Sequence, residues 1–600
     1  MREAVVAVLL VTTGLTGCIG AMEDLSPTSA SDAVEDEPTT GFTDTHVFEG
    51  EYVTDEPYSL TLEEGPFEAG ETGAMYLESQ VDGKAIEIGV VKPDVAEDEQ
   101  VPVVAFASPY LNPIHGQDLL ELRPRLTENF VHHGYAVAFV AVRGTGDSGG
   151  CSHLMGPVER SDVSQAVTWL GEQDWSNGNV GMLGVSYDGS TPWEVAAEGN
   201  EHLATIVPIS GVNDPFQLMY TNGSAESRGA AVLNGAYYAY GFGIDNPTEG
   251  RSAERTIDGA LCPEAKRGLA ASLHSTATGE RDPTGYWAER NMRPLVEENY
   301  NGSIFLVHGL QDWNVDPGHA MPWVHDRLDH EQDLKVKYWL GQWFHAWPDG
   351  DYLDQPTRRV DFAEVLLHWF DSELKGEDVD LGPKVQVQDS TGQWRSGDHW
   401  PPQNATERTL HPTAEGELAE ANDTDEGTVT VGPSASPASN QPLAYQGDAA
   451  SQIPCEGCAE FRTGELDEPV RFAGTPTFHA DVTPTGPGGY LSAFLYAQEG
   501  GEYTRLGWTS MDLRFHDGGD QAQPVVPGER VTAKMQFEPL DAVVPEGAQL
   551  VLVVTEGGHA DRVSTSAPAP VQLHVGADVS PLTMQTFTVS EEDTFASPAE

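Results

Sequence analysis

The chain has 600 residues, 95 acidic and only 31 basic, for a formal net charge of −64. A nucleic-acid binder carries a basic footprint, and this composition excludes one. With 39% hydrophobic residues, 13 Trp, 18 Tyr and 20 Phe, the chain can build packed cores, which excludes an acidic disordered protein. Its length predicts about two to four domains.

Taken in chain order, residues 4–15 form an apolar run behind Arg2 that is too short for a comfortable membrane span. The run ends in Leu15-Thr16-Gly17-Cys18, small residues before a cysteine, as in a lipoprotein signal. Residues 1–18 are therefore expected to be a signal peptide with Cys18 as the lipidated residue. Residues 19–48, rich in Ser, Thr, Pro, Asp and Glu, read as an acidic disordered tether. Anchor plus spacer predicts a folded part on the extracellular face of the cell membrane, or secreted, touching the membrane only through the lipid. The acidic charge is dispersed and there are only eight lysines. That surface resembles proteins of salt-loving, haloarchaeal organisms, in which salt screens the self-repulsion.

From about residue 50 to 376, short apolar runs alternate with helical stretches. Strands are expected at 101–109, 135–143, 181–185, 204–209, 303–308 and 335–340, and helices at 117–133 and 160–173. Strand, helix, strand at this spacing predicts a doubly wound α/β sheet. The alternation stops over 216–301, read as a helical cap without strands, and 360–375 is expected to close the sheet as an amphipathic helix. Catalytic-domain boundaries are thus 49–215 and 302–376. Beyond Gly382, frequent Pro, Gly and Thr with alternating runs such as 490–497 and 550–555 predict an all-β sandwich over 383–600, with part of 403–450 as a long polar loop.

With Cys18 assigned to lipid, Cys151, Cys262, Cys455 and Cys458 remain. Cys455 and Cys458 form a lone C-x-x-C that no second pair completes into a zinc site, so a local disulfide is the simpler reading. Cys151 with Cys262 is then the other bridge, although four cysteines allow other connectivities.

Three segments carry the chemistry. In Gly184-Val185-Ser186-Tyr187-Asp188-Gly189 an apolar strand runs into a serine flanked by small residues, as a nucleophile elbow requires. Such a turn lifts Ser186 clear and leaves the next N–H facing a developing oxyanion. In His308-Gly309-Leu310-Gln311-Asp312-Trp313-Asn314-Val315 a strand ends in a turn bearing Asp312, with Asp316 as competitor and His308 as a structural residue. In Gly341-Gln342-Trp343-Phe344-His345 another strand ends in a loop bearing His345, with His319, His325 and His330 as rivals. The order Ser186, Asp312, His345 is that of α/β-hydrolases, with Asp312 orienting the base and His345 taking the serine proton.

These segments, together with Arg143-Gly144-Thr145-Gly146-Asp147-Ser148-Gly149-Gly150, resemble the Xaa-Pro dipeptidyl-peptidase (S15) family and the related cocaine-esterase-like (CocE/NonD) serine hydrolases. The resemblance implies an α/β-hydrolase core with an inserted cap and a C-terminal jelly roll of the galactose-binding-like type. It also implies a Ser186–Asp312–His345 triad and an oxyanion hole from the Tyr187 N–H and a tyrosine hydroxyl, matched by Tyr110. Arg143 is expected to shape its loop rather than touch substrate. A dipeptidyl-peptidase must hold a substrate ammonium, for which Asp188, Asp214 and Glu226 are candidates; an esterase or acylase needs no such carboxylate. No metal or organic cofactor is required by this chemistry, and the partner is a peptide or ester substrate, with a homo-oligomer left open. An inactive, surface-anchored binding protein is the reading from another class, separable by Ser186→Ala.

Overall fold

The computed structural model describes residues 69–110, 130–226, 262–348, 359–420, 425–432 and 457–589, less short gaps within those spans, and residue 594. The signal, Cys18, the tether and Cys455 lie outside the described residues, as does most of the helix expected at 117–133. Among the described residues no helix is long and apolar enough to cross a membrane.

A ten-stranded sheet organises the first part of the chain. Its strands are β1 (Ala69–Glu78), β2 (Ala85–Pro93), β3 (Val101–Ser108), β4 (Ala136–Ala141), β5 (Ser176–Val185), β6 (Leu203–Ile209), β8 (Ser303–Gly309), β9 (Val336–Gly341), β10 (Val385–Gln388) and β11 (Trp394–Gly397). The spatial order is β1-β2-β4-β3-β5-β6-β8-β9-β10-β11. Strands from β4 through β10 in that order are parallel neighbours, and antiparallel pairs close both edges. The central parallel strands are mostly apolar and buried, as expected where helices cover both faces. On one face Val103, Ala105, Met182, Ile206 and Leu306 pack with Val163 and Val167 of α1 (Pro157–Gly171) and Trp193 of α2 (Tyr187–Glu198). Val104, Phe106, Leu183, Val207 and Val307 face the other way, toward Val365, Leu366 and Trp369.

Four expectations are corrected here. The sheet begins earlier than residue 101, with the β1–β2 hairpin. It also runs past residue 383: β10 pairs with β9 in parallel, so 385–397 belong to the catalytic sheet and not to the sandwich. Gln386 of β10 is buried and accepts from the Arg359 guanidinium at 3.3 Å. The cap contains α3 (Pro215–Met219), α4 (Pro263–Thr278) and α5 (Arg293–Asn299), but also a strand, β7 (Ser224–Glu226), which pairs with Arg562–Ser564. A three-residue strand whose partner is more than 300 residues away leaves no local period. Finally α6 (Phe362–Phe370), expected to be amphipathic, is buried along its whole length, polar Glu364 and His368 included; Phe305 and Trp339 from the sheet and Trp347 from the preceding loop pack on Trp369 and Phe362.

The C-terminal part is a two-sheet β structure. Thr477–Pro484 and Leu582–Thr588 lie in a nine-stranded sheet, and Tyr490–Glu499 and Gln549–Glu556 in a four-stranded one. Their inward residues, among them Phe478, Val482, Leu491, Leu495, Leu552 and Leu582, share one core. Within the stretch read as a polar loop, Thr406–Pro412 and Gly427–Val431 are strands of the nine-stranded sheet. The sandwich docks on the cap, where Arg281 Nε donates to Asp520 at 2.7 Å and Asn222 Nδ2 to the Ser510 carbonyl at 3.2 Å. It also docks on the turn after β8, where Gly318 N–H donates to Glu538 at 2.6 Å.

Candidate active site

Ser186, Asp312 and His345 follow β5, β8 and β9, all at the carboxyl edge of the sheet. Ser186 has φ 66° and ψ −126°, a left-handed conformation in a non-glycine residue, and α2 begins directly after it. Such a conformation costs of order 1–3 kcal/mol and persists only where its surroundings enforce it. The enforcement is visible. Ser186 N–H donates to the Ile209 carbonyl at 3.0 Å, and Ser190 Oγ donates to the Ser186 carbonyl at 2.9 Å while accepting from Val212 N–H at 2.8 Å. A Cβ at Gly184 would approach the Asp188 carbonyl to 2.4 Å, and one at Gly189 would lie 2.5 Å from the Ile209 carbonyl. The elbow therefore needs its second glycine at 189, where α2 crosses the end of β6, which accounts for the G-x-S-Y-x-G spacing.

Asp312 is buried. Its Oδ1 accepts from Asn314 N–H at 2.8 Å and Val315 N–H at 2.9 Å, and its Oδ2 lies 2.9 Å from His345 Nδ1. Burial pushes the Asp312 carboxyl pKa up, but the charge and hydrogen bond of His345, with His308 and the Val315 N–H, outweigh it and hold the pKa below the ordinary value. With Nδ1–H donated to Asp312, His345 Nε2 is left as the basic nitrogen. That atom is buried and makes no hydrogen bond among the described residues, so the serine–histidine bond is not closed in this structure. Such bonds are often long before substrate binds.

Tyr110, just beyond β3, places its hydroxyl 3.5 Å from Ser186 Oγ, and its ring meets that of Tyr187 edge-on at 6.5 Å. Tyr187 is the first residue of α2, and first-turn N–H groups have no acceptor within their own helix. The rivals stand elsewhere. His308 Nε2 donates to the Val315 carbonyl at 2.8 Å and buttresses the acid turn. His319 Nε2 accepts from Asn213 N–H at 2.9 Å, and burial with the nearby Arg293 holds its pKa well below normal. His325 and His330 stack on each other, 6.2 Å apart. Asp316 precedes the turn Pro317–His319 and does not hydrogen-bond to His345.

Of the three carboxylates considered for an ammonium, Asp214 caps α3 and pairs with Arg281 at 2.9 Å. Asp188 is buried in the first turn of α2, and Glu226 in β7. Arg143 binds the Cys151 carbonyl, Asp162 and Asp82, thereby shaping its loop. Cys151 and Cys262 are bridged, which ties that loop to the cap, and Cys458 is disulfide-bonded. Among the described residues no group of three or more His, Cys, Asp or Glu is arranged to hold a metal ion.

Family comparison matches residues 82–347 to the X-Pro dipeptidyl-peptidase (S15 family) model and residues 377–568 to the X-Pro dipeptidyl-peptidase C-terminal non-catalytic domain. Residues 82–347 thus match an S15-family catalytic region, followed by the C-terminal domain of the same peptidases. The chain is an enzyme, a serine hydrolase. It is 28% identical to a putative Xaa-Pro dipeptidyl-peptidase of Streptomyces avermitilis over 82% of its own length and 80% of the relative's. In fold it is similar to an aminopeptidase from a marine sediment Thaumarchaeota archaeon, with a TM-score of 0.69, 17% identity and coverage of 94% and 100% of the two chains. It is likewise similar to a CocE/NonD family hydrolase from Staphylococcus aureus, with a TM-score of 0.64, 17% identity and coverage of 91% and 99%.

Proposed function

We propose that this chain releases Xaa-Pro dipeptides from peptide N-termini through a Ser186–His345–Asp312 acyl-transfer mechanism. The observation that carries the reading is the pairing of two half-sites at one sheet edge: Asp312 holding His345 Nδ1, and Tyr110 reaching Ser186 Oγ. In the first half-reaction Ser186 Oγ attacks the carbonyl carbon of the proline residue and its proton passes to His345 Nε2. The resulting oxyanion accepts hydrogen bonds from the Tyr110 hydroxyl and the Tyr187 N–H. Collapse breaks the C–N bond, and His345 returns its proton to the leaving amine. Water then attacks the acyl ester, giving a proton to His345, and the dipeptide acid leaves as Ser186 recovers its hydrogen. Asp312 remains ionised throughout and stabilises the imidazolium. The sandwich, bonded to the cap and to the acid turn, acts as a wall of the cleft.

An ester- or acyl-cleaving reading is favoured by one observation: Asp214 is already held by Arg281 and its own helix, and Asp188 and Glu226 are buried. Cleavage of Gly-Pro-p-nitroanilide, its N-acetylated form and p-nitrophenyl butyrate, with Ser186→Ala as blank, separates the two. Hydrolysis confined to the free-amine proline substrate supports the peptidase; turnover of the ester alone overturns it. We further propose a lipid anchor at Cys18, an extracellular location and adaptation to high salt, supported by the residues before Cys18 and the charge of −64. Radiolabelled lipid incorporation lost in Cys18→Ala tests the anchor, and a folding midpoint that rises steeply with salt tests the adaptation.

A further inference from the structure

Behind the elbow lies a buried acid that the acyl-transfer steps do not use. Glu159, in the first turn of α1, is fully buried, and its carboxylate accepts a hydrogen bond from the Tyr187 phenol. The same carboxylate accepts from His153 N–H at 3.2 Å and Met155 N–H at 3.3 Å, while Met155 N–H also lies 3.0 Å from the phenol oxygen. One loop thus grips Tyr187 from two sides. Leu154 and Met155 have φ of 48° and 58°, conformations that need outside support. The support comes from the cap: Arg290 donates to the His153 carbonyl at 2.6 Å, and Cys151 is bridged to Cys262.

Tyr187 carries the backbone N–H assigned to the oxyanion hole, and its ring is the edge-on neighbour of the Tyr110 ring. The phenol held by Glu159 and Met155 N–H fixes where Tyr187 sits at the start of α2, and the N–H that faces the oxyanion belongs to that residue. We propose that Glu159 is a positioning residue for acyl transfer: through the Tyr187 phenol it holds both oxyanion donors, the Tyr187 N–H and the Tyr110 hydroxyl, against Ser186. The proposal rests on the reading of Ser186 as nucleophile.

The test compares Tyr187→Phe, Glu159→Leu, Glu159→Gln and the Tyr187→Phe/Glu159→Leu double variant in the full chain at high salt. Ser186→Ala serves as blank and Tyr110→Phe as reference, on whichever of the three substrates the wild type hydrolyses. The readouts are kcat, KM, Tm and the affinity for phenylboronic acid, which forms a tetrahedral adduct with the serine. Tyr187→Phe and Glu159→Leu are expected to lower kcat about ten-fold, a fraction of the loss for deleting one oxyanion donor. KM should stay within about two-fold, and boronate affinity should weaken by the same factor as kcat. Glu159→Gln, which keeps a carbonyl acceptor, should recover most of the rate, and the double variant should be no worse than Tyr187→Phe. If Glu159→Leu does not fold, Tyr187→Phe with Glu159→Gln decides. Unchanged kcat in folded Tyr187→Phe overturns the proposal, as does a loss that follows Tm and leaves boronate binding intact. Equal rates for wild type and Ser186→Ala sink the nucleophile reading itself, an outcome that Tyr187→Phe alone cannot produce.

Discussion

In the parallel sheet, β3 buries all eight of its residues, whereas Thr477–Pro484 in the sandwich alternates buried with exposed or half-buried positions. The two regions also treat buried polar groups differently. At the sheet edge, His345 Nδ1 meets Asp312 Oδ2, and His345 Nε2 is left without a hydrogen bond among the described residues. In the sandwich, Arg471 meets Asp541 through two nitrogens at 2.8 and 2.7 Å, and Trp400 Nε1 adds a third bond at 3.0 Å. The first cluster leaves a buried base open for a substrate; the second, the Arg471–Asp541 pair, holds a wall in place. Rate should therefore answer to the first region and stability to the second.

The sharpest test of that division is Ser186→Ala, expected to lower kcat about 10⁵- to 10⁶-fold with far-UV dichroism and Tm unchanged. Asp312→Asn should follow, with a fall of about 10⁴-fold as His345 loses its tautomer. Because the folded pKa of Asp312 is depressed, the stability it contributes is present above the unfolded value of 3.8 and is lost as pH falls through the folded one. Tm of the wild type should thus converge on that of Asp312→Asn at the acid end of a pH series. Serine at both Cys151 and Cys262 opens a bridge between residues 111 positions apart. On loop entropy it should cost about 4–5 kcal/mol in denaturant unfolding, and it would blur the division if kcat fell as well. Arg471→Met leaves Asp541 buried without its cation and should cost about 3–5 kcal/mol. A large drop in kcat measured well below its Tm would break the comparison.

Much of the site is legible without coordinates, since β5, β8 and β9 are apolar runs and each ends in a short segment carrying Ser186, Asp312 or His345. A buried parallel strand announces itself locally, and chain order constrains which chemistry follows it. The grip of Glu159 on Tyr187 has no such mark: 28 residues separate them, and Glu159 reads as an ordinary acid in the first turn of a helix. β7 and the β10–β11 hairpin were equally silent: β7 takes its partner from distant chain, and the four-residue β10 joins the sheet only by lying beside β9.

Sequence by itself determined the alternation of strands and helices, the glycine-flanked serine and the order of the three polar residues, all of which depend on neighbours in the chain. Only the tertiary structure decided that β10 and β11 extend the catalytic sheet, that Arg281 occupies Asp214, and that one buried carboxylate stands behind the elbow. These are contacts between segments far apart in sequence, and they are settled by which surfaces the packed sheet brings together.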